Sequence, residues 1–116
     1  MNVFDRVRRI GLTLPGVEAA TRYDGSPRLT LGGCFVAGLA THKSAEADTL
    51  VVRMEPDQRE LFLEDAPDTY YVTDYYERYS LVLARLSTIP DDALRDLLAL
   101  SRRLTVGKTR ARSVRP

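Results

Sequence analysis

At 116 residues, with hydrophobic residues at 44% and charged residues at 28%, the chain has room for one folded core and is excluded from the wholly disordered class. One cysteine, Cys34, excludes an intrachain disulfide and a four-cysteine zinc site. The net charge of +1 hides an uneven spread: residues 1–101 hold all 16 acids but only 11 of the 17 basic residues, a net of −5, whereas residues 102–116 hold six basic residues and no acid.

The opening MNVFDRVRRIG has charges throughout and no apolar run, which is unlike a signal peptide, and no stretch nears the ~20 apolar residues that cross a bilayer. A cytoplasmic protein without membrane contact is expected. Phe4, Val7, Ile10, Gly11 and Leu14 recur at helical spacing and predict a first helix over Val3–Leu14, with Arg6, Arg8 and Arg9 on its wet side. Pro15-Gly16 ends it. From Val17 to Met54 the period shifts toward two. Leu29 and Leu31 alternate with Arg28 and Thr30, Gly32-Gly33 reads as a hairpin turn, and the returning strand Cys34–Leu39 is expected to place Phe35, Ala37 and Leu39 on one face. A polar loop at Ala40–Asp48 leads to a strand with Leu50, Val52 and Met54 inward.

Glu55-Pro56-Asp57 reads as a helix start, since Pro is favoured in the first turn and acids suit the helix dipole there. This helix should run over Asp57–Glu64 and close before Pro67. Tyr70-Tyr71-Val72 predicts a brief strand, Thr73-Asp74 a turn, and Ser80–Leu86, apolar on both parities, a strand covered on both faces. Pro90-Asp91-Asp92 opens a last helix with Leu94, Leu97, Leu98 and Leu104 buried and Arg102 and Arg103 in its final turn. The pattern is α+β: an antiparallel sheet with three helices packed mainly on one face, over residues 1–104. Residues 105–116 are expected to form a basic, disordered tail.

No catalytic constellation is visible. His42 sits in the polar loop without a partner to orient it, and Cys34 has no basic neighbour to activate a thiolate. Gly25-Ser26-Pro27 lacks the second glycine of a nucleophile elbow, and Gly32-Gly33 is too short to cradle phosphate. Metal-ligand spacing is absent, so no cofactor is expected. The unusual feature is the cluster Tyr70, Tyr71, Tyr75, Tyr76 and Tyr79. Its rings could stack on bases or line a groove, and most of them are expected to pack.

Leu14-Pro15-Gly16-Val17-Glu18, Gly25-Ser26-Pro27-Arg28-Leu29, Gly32-Gly33, Leu50-Val51-Val52-Arg53-Met54, Pro56-Asp57-Gln58-Arg59-Glu60, Ala66-Pro67 and Tyr70-Tyr71-Val72-Thr73-Asp74-Tyr75-Tyr76 follow one another as they do in the MmcQ/YjbR-like family, which this chain resembles over residues 3–104. The resemblance implies a compact fold similar to the CyaY/frataxin class and DNA binding through two hairpin wings. Cys34 stands where members usually carry lysine, and Tyr79 where many carry tryptophan. The iron binding of the frataxin class would need an acidic first helix; here Asp5 is set against Arg6, Arg8 and Arg9.

Two functions are thus expected of a non-catalytic binding protein. The first is weak, salt-sensitive DNA binding, with Arg28, Lys43, Arg53, Arg78, Arg110 and Arg112 on phosphates and Tyr75 and Tyr76 on bases. The second is a small anionic ligand or a protein partner held in a groove around Arg53 and the tyrosines. The sequence does not set the oligomeric state, although an unpaired strand edge could join a second copy.

Overall fold

The structure, a computed structural model, describes residues 3–113, with side chains through Gly107. Its elements are α1 (Phe4–Gly11), β1 (Val17–Thr21), β2 (Pro27–Leu31), β3 (Cys34–Leu39), β4 (Thr49–Arg53), α2 (Pro56–Asp65), β5 (Tyr70–Tyr71), α3 (Asp74–Glu77), β6 (Leu81–Arg85) and α4 (Asp91–Ser113). The strands form one antiparallel sheet in the order β1-β2-β3-β4-β6-β5. The expected α+β architecture is present. Among the described residues no helix is long and apolar enough to cross a membrane.

Strand parity divides the molecule. Leu29, Ala37, Leu50, Val52, Val82 and Ala84 point to one face, where Phe4, Val7 and Ile10 of α1 and Leu94, Leu97 and Leu98 of α4 complete the main core. Phe62 and Leu63 of α2 pack against the same core, and Phe62 meets Tyr70 edge-on at 5.0 Å. Val51 and Leu83, on the other parity, carry a smaller cluster capped by Tyr76 of α3. That second face bears the site described below.

A β-bulge breaks the period-two expectation in β3. Leu29 pairs with Ala37 but Thr30 pairs with Phe35, so Val36 is an extra residue without a partner on β2. Val36 and Ala37 both enter the main core, and Phe35 turns to the opposite face. Phe35 therefore does not share a face with Ala37 and Leu39, as simple alternation predicts.

At the bulge α4 brings hydroxyl groups to the backbone carbonyls of β3. Ser101 Oγ donates to Val36 O at 2.8 Å and Thr105 Oγ1 lies 3.4 Å from Phe35 O. Both residues are buried, whereas Leu104, expected in the stripe, is only half-buried. The inner stripe of α4 thus turns from leucines to hydroxyls where it crosses the bulge. The helix also runs on to Ser113, past its expected end at Leu104.

Smaller differences have local causes. α1 ends at Gly11, and Thr13 Oγ1 caps it by donating to Ile10 O at 2.6 Å. The turn expected at Thr73-Asp74 is a one-turn helix, with the Thr73 side chain accepting from Tyr76 N. Gly32 and Gly33 both hold positive φ, +57° and +80°, as a tight hairpin turn requires. Arg6, placed on the wet side of α1, instead ties that helix to the start of α4: its guanidinium donates to Leu86 O at 2.9 Å, to Ile89 O, and to Asp91 Oδ1 at 2.5 Å.

Ser101→Ala leaves Val36 O buried without its donor and should lower unfolding free energy by about 1–3 kcal/mol, read from urea unfolding monitored by circular dichroism. A change within error would mean that the bulge carbonyl does not depend on α4.

Candidate functional site

On the second face the sheet and the segments beyond it line an open cavity of roughly 250 Å³. Its lining includes Arg22, Arg28, Phe35, Gly38, Val51, Tyr75, Tyr76, Tyr79 and Leu81, with no acidic residue. β2 and β3 bring Arg28 and Gly38 opposite one another, and Gly38 also faces Val51. The bulge adds Phe35, whose ring lies 5.3 Å from the Arg28 guanidinium carbon. A Cβ on Gly38 would sit 3.1 Å from Phe35 Cε1 and 3.2 Å from Arg28 Cβ. Glycine therefore lets Phe35 and the Arg28 stem close over the strand.

The opposite wall is α3 and its flanks. Tyr76 is 6% exposed, and its hydroxyl accepts from His42 N at 3.1 Å. Tyr75 stacks on the His42 imidazole, with centroids 3.6 Å apart and planes within 5°. The Tyr75 hydroxyl is held above its ordinary pKa, chiefly because Tyr79 beside it disfavours a second phenolate, so it remains a neutral hydroxyl. Tyr79 is 44% exposed and closes the rim. Packing therefore takes most of the tyrosine cluster: Tyr70 and Tyr76 are buried and Tyr71 is half-buried. Stacking of Tyr76 on a nucleic-acid base is incompatible with its burial, and His42 already covers one face of Tyr75.

The loop between β3 and β4 is anchored to this wall, which explains why His42 is a docked residue and not the bare loop histidine that the sequence suggests. Glu46 forms a two-pronged pair with Arg85, at 2.9 Å to Nε and 2.8 Å to Nη2. Arg85 also donates to Pro67 O and Asp68 O and lies 4.3 Å from the Tyr71 ring centre. Tyr71 Oη accepts from Glu46 N at 2.8 Å, Ser44 Oγ meets Thr73 Oγ1 at 2.9 Å, and His42 Nδ1 accepts from Ser44 N at 3.1 Å. At the far end Arg22 Nη1 donates to Thr41 Oγ1 at 2.7 Å, joining the β1–β2 turn to the same loop.

The arginines around the cavity differ from those that hold the fold. Arg6, Arg8 and Arg85 have carboxylates, but among the described residues none lies within 4 Å of Arg22, Arg28, Arg53 or Arg78. Arg53 does not line the cavity; its Nε donates to Phe35 O at 2.9 Å and braces the bulge from the second face. Arg78 is exposed, 5.3 Å from the Tyr75 ring centre and 5.8 Å from that of Tyr79. Arg28 is the exception: its Nε is buried and has no hydrogen-bond partner among the described residues. Arg59 Nε and Gln58 Oε1 share that condition, but neither lines the cavity, and Arg59 Nη1 is occupied by Tyr79 O and Leu81 O.

Of the residues expected to contact a ligand, Arg28, Tyr75 and Tyr76 line one cavity, Arg53 and Arg78 flank it, and Lys43 is exposed on the adjoining loop. The Arg110 and Arg112 side chains lie outside the described residues. Arg22, Phe35 and Gly38 belong to the site but escape sequence reasoning. Phe35 is hidden by the bulge, and Gly38 by looking like any glycine in a strand. Cys34 is buried, as a structural cysteine is expected to be. No group of three or more His, Cys, Asp or Glu residues suited to a metal occurs among the described residues.

The fold is similar to the crystal structure of Deinococcus radiodurans protein DR2400, a DUF419 domain, with a TM-score of 0.71 and 20% identity over 90% of this chain and 79% of that one. No family model matches the chain, and no curated protein does. At this identity the likeness concerns the fold alone, a small α+β architecture.

The anchoring predicts an acid-sensitive structure. Hydrogen bonds from Arg85 hold Glu46 below its ordinary pKa of 4.5, and those from Arg6 hold Asp91 below 3.8. Groups with depressed folded pKa values contribute stability that is present above their ordinary values and is lost as pH falls through the folded ones. Urea midpoints measured down from neutral pH should therefore drop once pH passes below about 4.5, and Glu46→Gln should flatten part of that fall. An unchanged profile would remove the Glu46–Arg85 pair from the account.

Proposed function

We propose that this chain is a non-catalytic binding protein of the MmcQ/YjbR type whose working site is the cavity on the second face, where it takes a small anionic ligand. The observation that carries the reading is Arg28: a guanidinium with a buried, unpartnered Nε, opening on a cavity lined by no acid. Arg28 has no carboxylate within 4 Å among the described residues, and an anion from outside would supply its counter-ion. At roughly 250 Å³ the cavity falls just under the ~300–1,000 Å³ usual for ligand pockets, so its occupant is small.

Nucleic acid is the second reading, supported by the gathering of Arg22, Arg28, Arg53 and Arg78 without carboxylates and by the six basic residues of 102–116. The −5 charge of residues 1–101 opposes a duplex unless the charges segregate by face, and base stacking would have to use Tyr79 and not Tyr76. Such binding would be weak and would fade as salt rises.

Calorimetric titration with acetate, phosphate and small organic acids tests the first reading, with Arg28→Gln as the variant. The variant should bind the best of these anions at least about tenfold more weakly while keeping its melting temperature. Anisotropy with a labelled duplex at low and moderate salt tests the second. Duplex binding that persists at moderate salt, with no anion binding sensitive to Arg28→Gln, would replace the small-ligand reading with the nucleic-acid one.

A further inference from the structure

The shape and chemistry of the cavity name its ligand class more narrowly than charge does. Its lining is aromatic: Phe35 of β3, and Tyr75, Tyr76 and Tyr79 of α3 and its flank. Phe35 and the Arg28 stem close over Gly38, where a methyl group would press on both. A space lined by aromatic rings accepts a flat ring, because ring edges and faces there meet other rings in the offset and edge-on arrangements they favour. The aromatic lining is thus a second observation, independent of charge, that points to an occupant.

The polar end is equally limited. Arg22 has committed one Nη to Thr41, which leaves Arg28 as the lining guanidinium without hydrogen-bond partners among the described residues. One planar guanidinium is matched by one planar two-oxygen anion. The Arg28 guanidinium is also set against Phe35, so a group bound to it lies at the edge of the aromatic slot.

We propose that the cavity is a site for an aromatic monocarboxylate, with the ring among Phe35 and the tyrosines and the carboxylate on Arg28. The proposal rests on the anion-site reading above and adds the ring. No bond is made or broken; the protein binds, and either carries or senses the acid.

The test is a titration of the full chain, followed by backbone amide NMR at Arg28, Phe35 and Gly38, with sodium benzoate, cyclohexanecarboxylate, acetate and phosphate. Benzoate should bind at least about tenfold more tightly than cyclohexanecarboxylate, which has its charge and size but no flat π face. Gly38→Val should abolish benzoate binding, and the milder Gly38→Ala should weaken it; each is checked for an unchanged fold by circular dichroism. Cyclohexanecarboxylate binding as tightly as benzoate, or a folded Gly38→Val that keeps benzoate affinity, overturns the proposal. If acetate or phosphate perturbs Arg28 while benzoate has no advantage, the aromatic class falls and the anion site stands. If none of the four perturbs Arg28, both fall.

Discussion

One extra residue in one strand sets the rest. Without the bulge at Val36, the β2–β3 ladder would run in simple alternation and Phe35 would join Ala37 under the helices. With it, a phenyl ring moves to the open face, and the carbonyls of Phe35 and Val36 accept from side chains. A bulge survives in a buried sheet only if its backbone groups find donors, since an unsatisfied buried carbonyl costs about as much as a typical mutation destabilises a domain. Here the donors come from both sides: Ser101 from α4 to Val36 O, and Arg53 from the neighbouring strand to Phe35 O. Polar side chains in the α4 stripe and an arginine half-buried on β4 have the same origin.

The second consequence is a division of labour among arginines. Arg6 and Arg85 are spent on carbonyls and carboxylates at chain crossings, where a planar fork can hold several acceptors at once. Arg59 does the same from a buried position beneath the link between α3 and β6. Arg85 and Arg59 brace the second face: the first ties down the β3–β4 loop through Glu46, and the second holds the link that follows α3. Arg28 takes no part in this work. Its guanidinium faces a preformed cavity whose walls are held by other residues, which is the arrangement that a binding site needs to avoid a large ordering cost.

Most of the architecture was legible in the sequence because hydrophobic period and turn chemistry agree locally. The 4, 7, 10, 11 spacing of α1, the Gly32-Gly33 turn, the alternation in β4 and the doubly apolar β6 each name their element. The site was half legible. Arg28 and the tyrosines stand out by charge and crowding, but period-two counting assigns Phe35 to the wrong face, because Cys34-Phe35-Val36-Ala37 is apolar on both parities and contains no mark of where the extra residue falls. Gly38 and Arg22 are recognisable only once the strands are paired. The turn at Thr73 and the end of α4 were misjudged for a different reason: capping and helix extension depend on tertiary contacts that propensity does not see.

The central claim is that Arg28 is kept free for a ligand on a face built by other residues. The arginine Nε–Hε NMR spectrum of the full chain, recorded with and without sodium benzoate, tests it most directly. The account predicts that the Arg28 signal moves furthest and saturates, while those of Arg6 and Arg85 stay in place because their Nε atoms already donate to Asp91 and Glu46. Equal small shifts across all arginines, or a static Arg28 signal, would contradict it.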